Sequence, residues 1–185
     1  DVYKRQVSYI VKKSGGEIIF SRVGPPAIVE TMKKHKAEFG IEESGKYVWS
    51  NAIYYGDAAL ATFKMLEILE EKGKSLSELT SELPRYYMKK IAINCPDELK
   101  DIVLNKAFEA LKEEIKEEIT DIITIDGIKV IFSDDSWILL RPSGTEPVFR
   151  VFAESKNEMK TNMLIKLGEE AVRKALEKSI QGSNY

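Results

Sequence analysis

The sequence predicts an α/β segment with a partial, mostly parallel sheet, followed by an α+β domain with an antiparallel sheet and two helices. Three observations carry this. Short β-rich runs alternate with amphipathic helical runs through residue 72, the signature of an α/β unit. A stretch at 73–84, with one glycine, three serines and a proline, then interrupts the pattern. Beyond it come a strand, a helix, several closely spaced strands and a last helix, which is an α+β order.

The elements follow in turn. The six residues DVYKRQ at 1–6 resemble the in-frame translation of a common sequencing adapter and are read as non-native, outside fold reasoning. A helix end at 9–13 stops at Ser14-Gly15-Gly16, where glycine after a helical turn reads as a C-cap. Residues 17–23 (EIIFSRV) read as a strand, broken by Gly24-Pro25-Pro26. Proline is tolerated at a helix start, and 27–38 carry Ile28, Met32 and Ala37 among lysines, an amphipathic helix. Residues 39–50 look extended around a loop at Glu43-Ser44-Gly45. Asp57 opens a helix through Lys72, with its acidic group where the dipole favours it. The first half of that helix, 58–63, is apolar nearly all round, which predicts burial on more than one side.

Residues 73–84 read as a linker or hinge with a weak helical turn at Leu76, Leu79 and Leu83. The second half reads as strand 86–94, then helix 96–119 with Leu104, Phe108, Leu111 and Ile115 on one face. Strands are expected at 122–125 and 128–132, joined across the hairpin signal Asp126-Gly127, and at 137–140 and 148–154. The final helix, 158–179, aligns Met159, Met163, Leu167 and Ala171, and the tail 181–185 is polar and expected to fray. The domain division is therefore 7–72, linker 73–84, and 85–185.

Composition excludes some functions. In 185 residues, 28 Lys and Arg against 30 Asp and Glu give a formal charge of −2, no footprint for nucleic acid. No apolar run approaches the ~20 residues of a membrane span, and no signal-peptide pattern is present. Cys95 is the single cysteine, so no internal disulfide can form, and a reducing compartment, the cytoplasm, is expected. His35 lies in a lysine-rich helix and reads as solvated surface, and Asp134-Asp135 reads as a turn rather than a metal site.

Chemistry concentrates in 141–150, RPSGTEPVFR, a loop between two hydrophobic strands. A phosphate needs several donors aimed at one spot. Ser143 and Thr145 supply hydroxyls, and Gly144 lets main-chain N–H groups converge as an anion nest. Arg141 adds a planar, permanently charged fork. Strand alternation puts Trp137, Leu139 and Arg141 on one face, and Val148, Arg150 and Phe152 on one face of the next strand. On composition alone, the same residues equally describe a polar turn flanked by surface arginines.

The full string is more specific. RPSGTEP followed by an apolar-Arg-apolar strand closely resembles the phosphate loop in the last domain of the α-D-phosphohexomutases: phosphoglucomutase, phosphomannomutase and phosphoglucosamine mutase. The resemblance continues upstream through Val23-Gly24, the helix at 27–38, IEESGK at 41–46 and GDAALATFKMLEIL at 56–69. It implies that 7–72 is the end of the family's third domain and 85–185 its C-terminal domain. It further implies that Arg141, Ser143, Gly144 and Thr145 hold the non-reacting substrate phosphate, supported by Arg150. Glu42 and Ser44 match positions that bind sugar hydroxyls, joined by Lys46 and Gly24 near the substrate. Three departures stand out: Ile41 replaces a glycine, Lys46 the histidine, and Ala58 the glycine that follows Asp57.

The family's reaction interconverts hexose 6-phosphate and hexose 1-phosphate. A phosphoserine of the first domain donates the phosphoryl group, and Mg²⁺ in the second assists. Neither the serine segment nor the D-G-D metal loop occurs in this sequence. The resemblance thus implies the C-terminal part of a mutase, with no catalytic or metal-binding residue of its own, partnered by N-terminal domains of the same polypeptide. The alternative is a stand-alone sugar-phosphate-binding module without catalysis.

Overall fold

A computed structural model describes residues 5–115 and 118–182. Residues 1–4 of the adapter-like stretch and 183–185 of the polar tail lie outside the described residues. The chain divides into two compact units, Asp1–Arg85 and Tyr86–Tyr185.

In the first unit, helix α1 (Arg5–Lys13) takes in Arg5 and Gln6 of the adapter-like stretch, and the Gln6 Nε2 donates to the Pro84 carbonyl at 2.8 Å. Helix α2 (Pro25–His35) starts at the proline pair, with Gly24 as its N-cap, and buries Ile28 and Met32. It stops before the expected end because Lys36 adopts a left-handed conformation (φ 54°). Strands β1 (Phe39–Ile41) and β2 (Tyr47–Trp49) pair antiparallel. Asp57 caps helix α3 (Ala58–Lys72) by accepting from the Leu60 N–H at 2.9 Å. Helix α4 (Leu76–Ser81) begins with a capping box of Ser75 and Glu78.

Three expectations fail in this unit. The mixed α/β character holds, but its sheet is the small antiparallel pair rather than a mostly parallel one. Residues 17–23 belong to neither sheet. A ladder needs a neighbour about 4.8 Å away, and instead 16–21 and Phe39–Ile41 line one cavity of about 490 Å³. Helix α3 buries none of its residues, and Phe63 stays 70% exposed. An apolar helix is covered only where a sheet or second helix extends beneath it, and the β1–β2 pair is too short for that.

The second unit is a five-stranded antiparallel sheet of order β3-β7-β6-β5-β4: Tyr87–Asn94, Val148–Ser155, Trp137–Pro142, Ile128–Phe132 and Ile119–Ile123. Helices α5 (Lys100–Glu114) and α6 (Glu158–Gly182) join it in one core. Val130, Ile138, Leu140, Phe149 and Val151 of the strands meet Val103, Ala107 and Leu111 of α5 and Leu164 and Val172 of α6 there, all fully buried. Each such large aliphatic or aromatic side chain contributes roughly 1.5–3 kcal/mol.

The helix expected over 96–119 is shorter. A 3-10 turn (Asp97–Leu99) precedes α5, which ends at Glu114, and Ile119 belongs to β4. The fully buried stripe of α5 is Val103, Ala107 and Leu111, with Leu104, Phe108 and Ile115 at its flank. In α6, Met159 and Met163 face solvent at 77% and 50% exposure, while Thr161, Leu164, Ile165 and Val172 turn inward. The apolar pattern of α6 permits two stripes about one residue apart. Burial of Leu164, Ile165, Val172 and Ala175 in the core decides the inward one, and Thr161 on that face donates from its hydroxyl to the Tyr87 carbonyl at 3.0 Å.

Candidate functional site

The strand register brings the two arginines together. Arg141 on β6 pairs directly with Arg150 on β7, as Leu139 pairs with Phe152 and Trp137 with Glu154. Like charges directly opposite on one sheet face are unfavourable, so each arginine is held by its own carboxylate. Arg141, largely buried, has its Nε 3.0 Å from Asp126 Oδ2. Arg150 bonds Glu146 within the loop. The result is an anion-ready pair of guanidinium groups at one end of the sheet, beside the loop 143–147.

Asp126 reaches Arg141 because the β4–β5 turn lies close over β6. Gly127, at φ 82°, leaves no room for a side chain: a Cβ there would stand 2.3 Å from the Leu140 carbonyl oxygen and 3.0 Å from Arg141 Cα. The Asp126-Gly127 hairpin thus supplies both the close approach and the counter-charge.

The loop is tied from within. The Ser143 N–H donates to the Val148 carbonyl at 2.9 Å, and the Cys95 N–H to the Pro147 carbonyl at 3.0 Å. Ser143 is buried, and its Oγ accepts from the N–H groups of Thr145 and Glu146 at 3.4 and 3.3 Å. Its hydroxyl therefore shapes the loop, with its proton as the remaining means of meeting a phosphate. Gly144 and Thr145 are exposed at the tip. Lys100, the first residue of α5, lies beneath: its Nζ donates to the carbonyls of Ser143 at 2.5 Å and Glu146 at 2.7 Å.

In the first unit, Glu42, Ser44 and Lys46 converge on one carboxylate. Glu42 is buried at the end of β1; its Oε2 accepts from Ser44 Oγ at 3.0 Å and lies 3.3 Å from Lys46 Nζ. The turn closes through the Glu42 N–H to the Lys46 carbonyl and the Gly45 N–H to the Glu42 carbonyl, each at 3.0 Å. A carboxylate that accepts from a hydroxyl and an ammonium is chemically able to accept from sugar hydroxyls. Gly24 serves as the N-cap of α2 at φ 114°, ψ 141°, a conformation reserved for glycine. His35 is exposed.

Asp134 and Asp135 lie in the β5–β6 turn, with Asp135 left-handed (φ 68°). Burial pushes the Asp134 carboxyl up. Hydrogen bonds from Lys160, the Ser136 hydroxyl and the Ser136 N–H, with the Lys160 charge, outweigh this and hold it at about 2. Among the described residues no three His, Cys, Asp or Glu side chains gather as a metal-binding group, so those present do not fit a Mg²⁺ site. Among them, too, no helix is long and apolar enough to cross a membrane.

Three participants are absent from the sequence-based set of site residues: Lys100, Asp126 and Glu146. Glu146 sits inside the quoted loop, and Asp126 is half of a recognisable hairpin signal. Lys100 has no local signal, since its partners lie 43 and 46 residues away.

Comparison with known proteins covers both units. The family model "Phosphoglucomutase/phosphomannomutase, alpha/beta/alpha domain III" matches residues 3–87. The model "Phosphoglucomutase/phosphomannomutase, C-terminal domain" matches 91–166. A phosphoglucomutase/phosphomannomutase from Thermococcus kodakarensis is 36% identical over 167 residues, covering 90% of this chain and 35% of the relative. A phosphopentomutase from the same organism is 33% identical over 174 residues, covering 94% of this chain and 38% of that protein. A solved phosphoglucomutase/phosphomannomutase family protein from Burkholderia thailandensis superposes with a TM-score of 0.72 at 22% identity, over 92% of this chain and 35% of its own. The chain spans a little over a third of the length of the curated relatives it matches.

Proposed function

Because the chain belongs to the phosphoglucomutase/phosphomannomutase family, with its units matching domain III and the C-terminal domain, we propose that it is the C-terminal portion of a mutase interconverting hexose 6-phosphate and hexose 1-phosphate. The second unit binds the substrate phosphate that is not reacting, through Arg141, Ser143, Gly144, Thr145 and Arg150. The first binds sugar hydroxyls through Glu42, Ser44 and Lys46, with Gly24 setting the start of α2. Phosphoryl transfer and the Mg²⁺ that assists it belong to N-terminal domains beyond these 185 residues. Residues 73–84 act as the hinge of the whole enzyme, which works in the cytoplasm.

One observation carries the phosphate assignment: two arginines directly opposed across β6 and β7, each neutralised by an acid, flank a loop with exposed Gly144 and Thr145. A phosphate ester can take charge-assisted hydrogen bonds from the guanidinium N–H groups that these carboxylates leave over, and such bonds are the strong kind. Relatives named for a hexose and a pentose phosphate match at 36% and 33% identity, so preference among sugars is a matter for assay.

The test is a titration of the chain with glucose 1-phosphate followed by amide chemical shifts. Responses at Arg141, Gly144 and Thr145 are expected, with a dissociation constant near millimolar, about −4 kcal/mol, and no turnover. Arg141→Ala should abolish the response. Shifts at Glu42 and Ser44 with none from 141 to 145 would remove the phosphate site from this loop, and mutase turnover by the purified chain would refute its role as a non-catalytic portion.

A further inference from the structure

Lys100 is nearly buried, and its ammonium has three acceptors: the Ser143 carbonyl at 2.5 Å, the Glu146 carbonyl at 2.7 Å and Asp97 Oδ1 at 2.5 Å. An ammonium has three N–H donors and no acceptor, so these partners account for all of them. Two lie within the five-residue loop between β6 and β7. No sheet or helix pattern requires this contact, since α5 begins at Lys100 whether or not its side chain reaches the loop.

The consequence follows from the planar trans peptide. The carbonyl of one residue and the N–H of the next point in opposite directions. With the Ser143 carbonyl drawn inward to Lys100, the Gly144 N–H points outward, at the exposed loop tip. The Glu146 carbonyl accepts both from Lys100 and from the Val148 N–H, each at 2.7 Å, and the Pro147 carbonyl is held by the Cys95 N–H. The Ser143 oxygen would repel an anion if it turned outward, and Lys100 gives it a donor on the inner side.

We infer that Lys100 is the positioning residue of the phosphate loop: it holds the carbonyl of Ser143 inward so that the main-chain N–H of Gly144 faces the phosphate ester. This rests on the reading of 141–147 as the phosphate site. Lys100 acts from behind the loop and does not touch the ligand.

The experiment titrates wild type, Lys100→Met and Lys100→Arg chains with glucose 1-phosphate, following the amides of Gly144 and Thr145, with a melting curve for each. Lys100→Met should bind at least about tenfold more weakly, the worth of one hydrogen bond to a charged group, and lose the Gly144 response while Arg141 still responds. Lys100→Arg, which keeps the charge and several donors, should recover part of both. A folded Lys100→Met chain that titrates within twofold of wild type, with Gly144 still shifting, overturns the inference alone. A wild-type chain silent from Arg141 to Thr145 overturns the phosphate reading and the inference together. Should Lys100→Met fail to fold, the wild-type Lys100 ammonium resonance decides: it should move as the sugar phosphate saturates, and a fixed resonance overturns the assignment.

Discussion

Replacing Gly127 by alanine isolates the contact that carries Asp126 to Arg141. The left-handed backbone at φ 82° costs an L-residue roughly 1–2 kcal/mol. The new Cβ would also lie 2.3 Å from the Leu140 carbonyl oxygen and 3.0 Å from Arg141 Cα and Cβ. Two of these atoms are main chain in the middle of a sheet, so relief requires the hairpin to lift from β6, and overpacking of this kind costs roughly 1–3 kcal/mol. Together the loss is about 2–5 kcal/mol, and at ~4–8 °C per kcal/mol for a unit of this size the melting point should fall by at least about 8 °C. Gly144→Ala is the matched control, since its Cβ would meet nothing within 4 Å and its φ is not positive. Only two tryptophans occur, so a Trp49→Phe background leaves Trp137, fully buried in the second unit, as its fluorescence reporter. A Gly127→Ala chain melting within about 2 °C of Gly144→Ala would refute both the close approach and the route by which Asp126 reaches Arg141.

The other predictions concern the same unit. The Asp134 carboxyl, held at about 2, is depressed in the folded state, so its contribution is present above the unfolded carboxylate range and fades as pH falls toward 2. Its side chain is half-exposed, which limits the effect to under about 1 kcal/mol; wild type should be more stable than Asp134→Asn at pH 6, and a difference constant down to pH 2 would contradict this. Trp137→Phe removes the bond from the indole N–H to Glu154 Oε1 at 2.9 Å in a buried setting. Denaturant unfolding should show a loss of about 1–3 kcal/mol, the range for leaving a buried polar group without its partner, and less than about 0.5 kcal/mol would show that the bond carries little.

Legibility in the sequence followed the range of the forces involved. The strands around Arg141 were readable because Ile128–Phe132 and Trp137–Pro142 are almost continuously apolar and separated by turn residues. Strand alternation allows Arg141 and Arg150 to lie at one mouth of the sheet, and the β6–β7 register sets them directly opposite. Asp57 and Ser75 announce their helices by local capping chemistry. What failed depends on contacts distant in sequence. The run 17–23 has β-rich residues, but whether it forms a strand is decided by a neighbour. Met159 and Met163 miss the buried face of α6 because a long helix offers alternative apolar faces, and packing in a core built from residues distant in sequence selects between them. Lys100 looks like any lysine at a helix start until the loop 43 residues away folds over it.

The hollow in the first unit has a thermal consequence. A volume of about 490 Å³ opens beside Ile18, Ile19, Phe20 and Met32 and leaves these side chains short of close-packed neighbours. Helix α3 adds the exposed faces of Phe63 and Leu66. The apolar side chains that already face solvent are hydrated before the unit unfolds, and heat capacity rises on unfolding only with apolar surface newly wetted. Per residue, the first unit should unfold with the smaller heat-capacity increment, over a broader and flatter stability curve, while the core beneath Trp137 melts sharply.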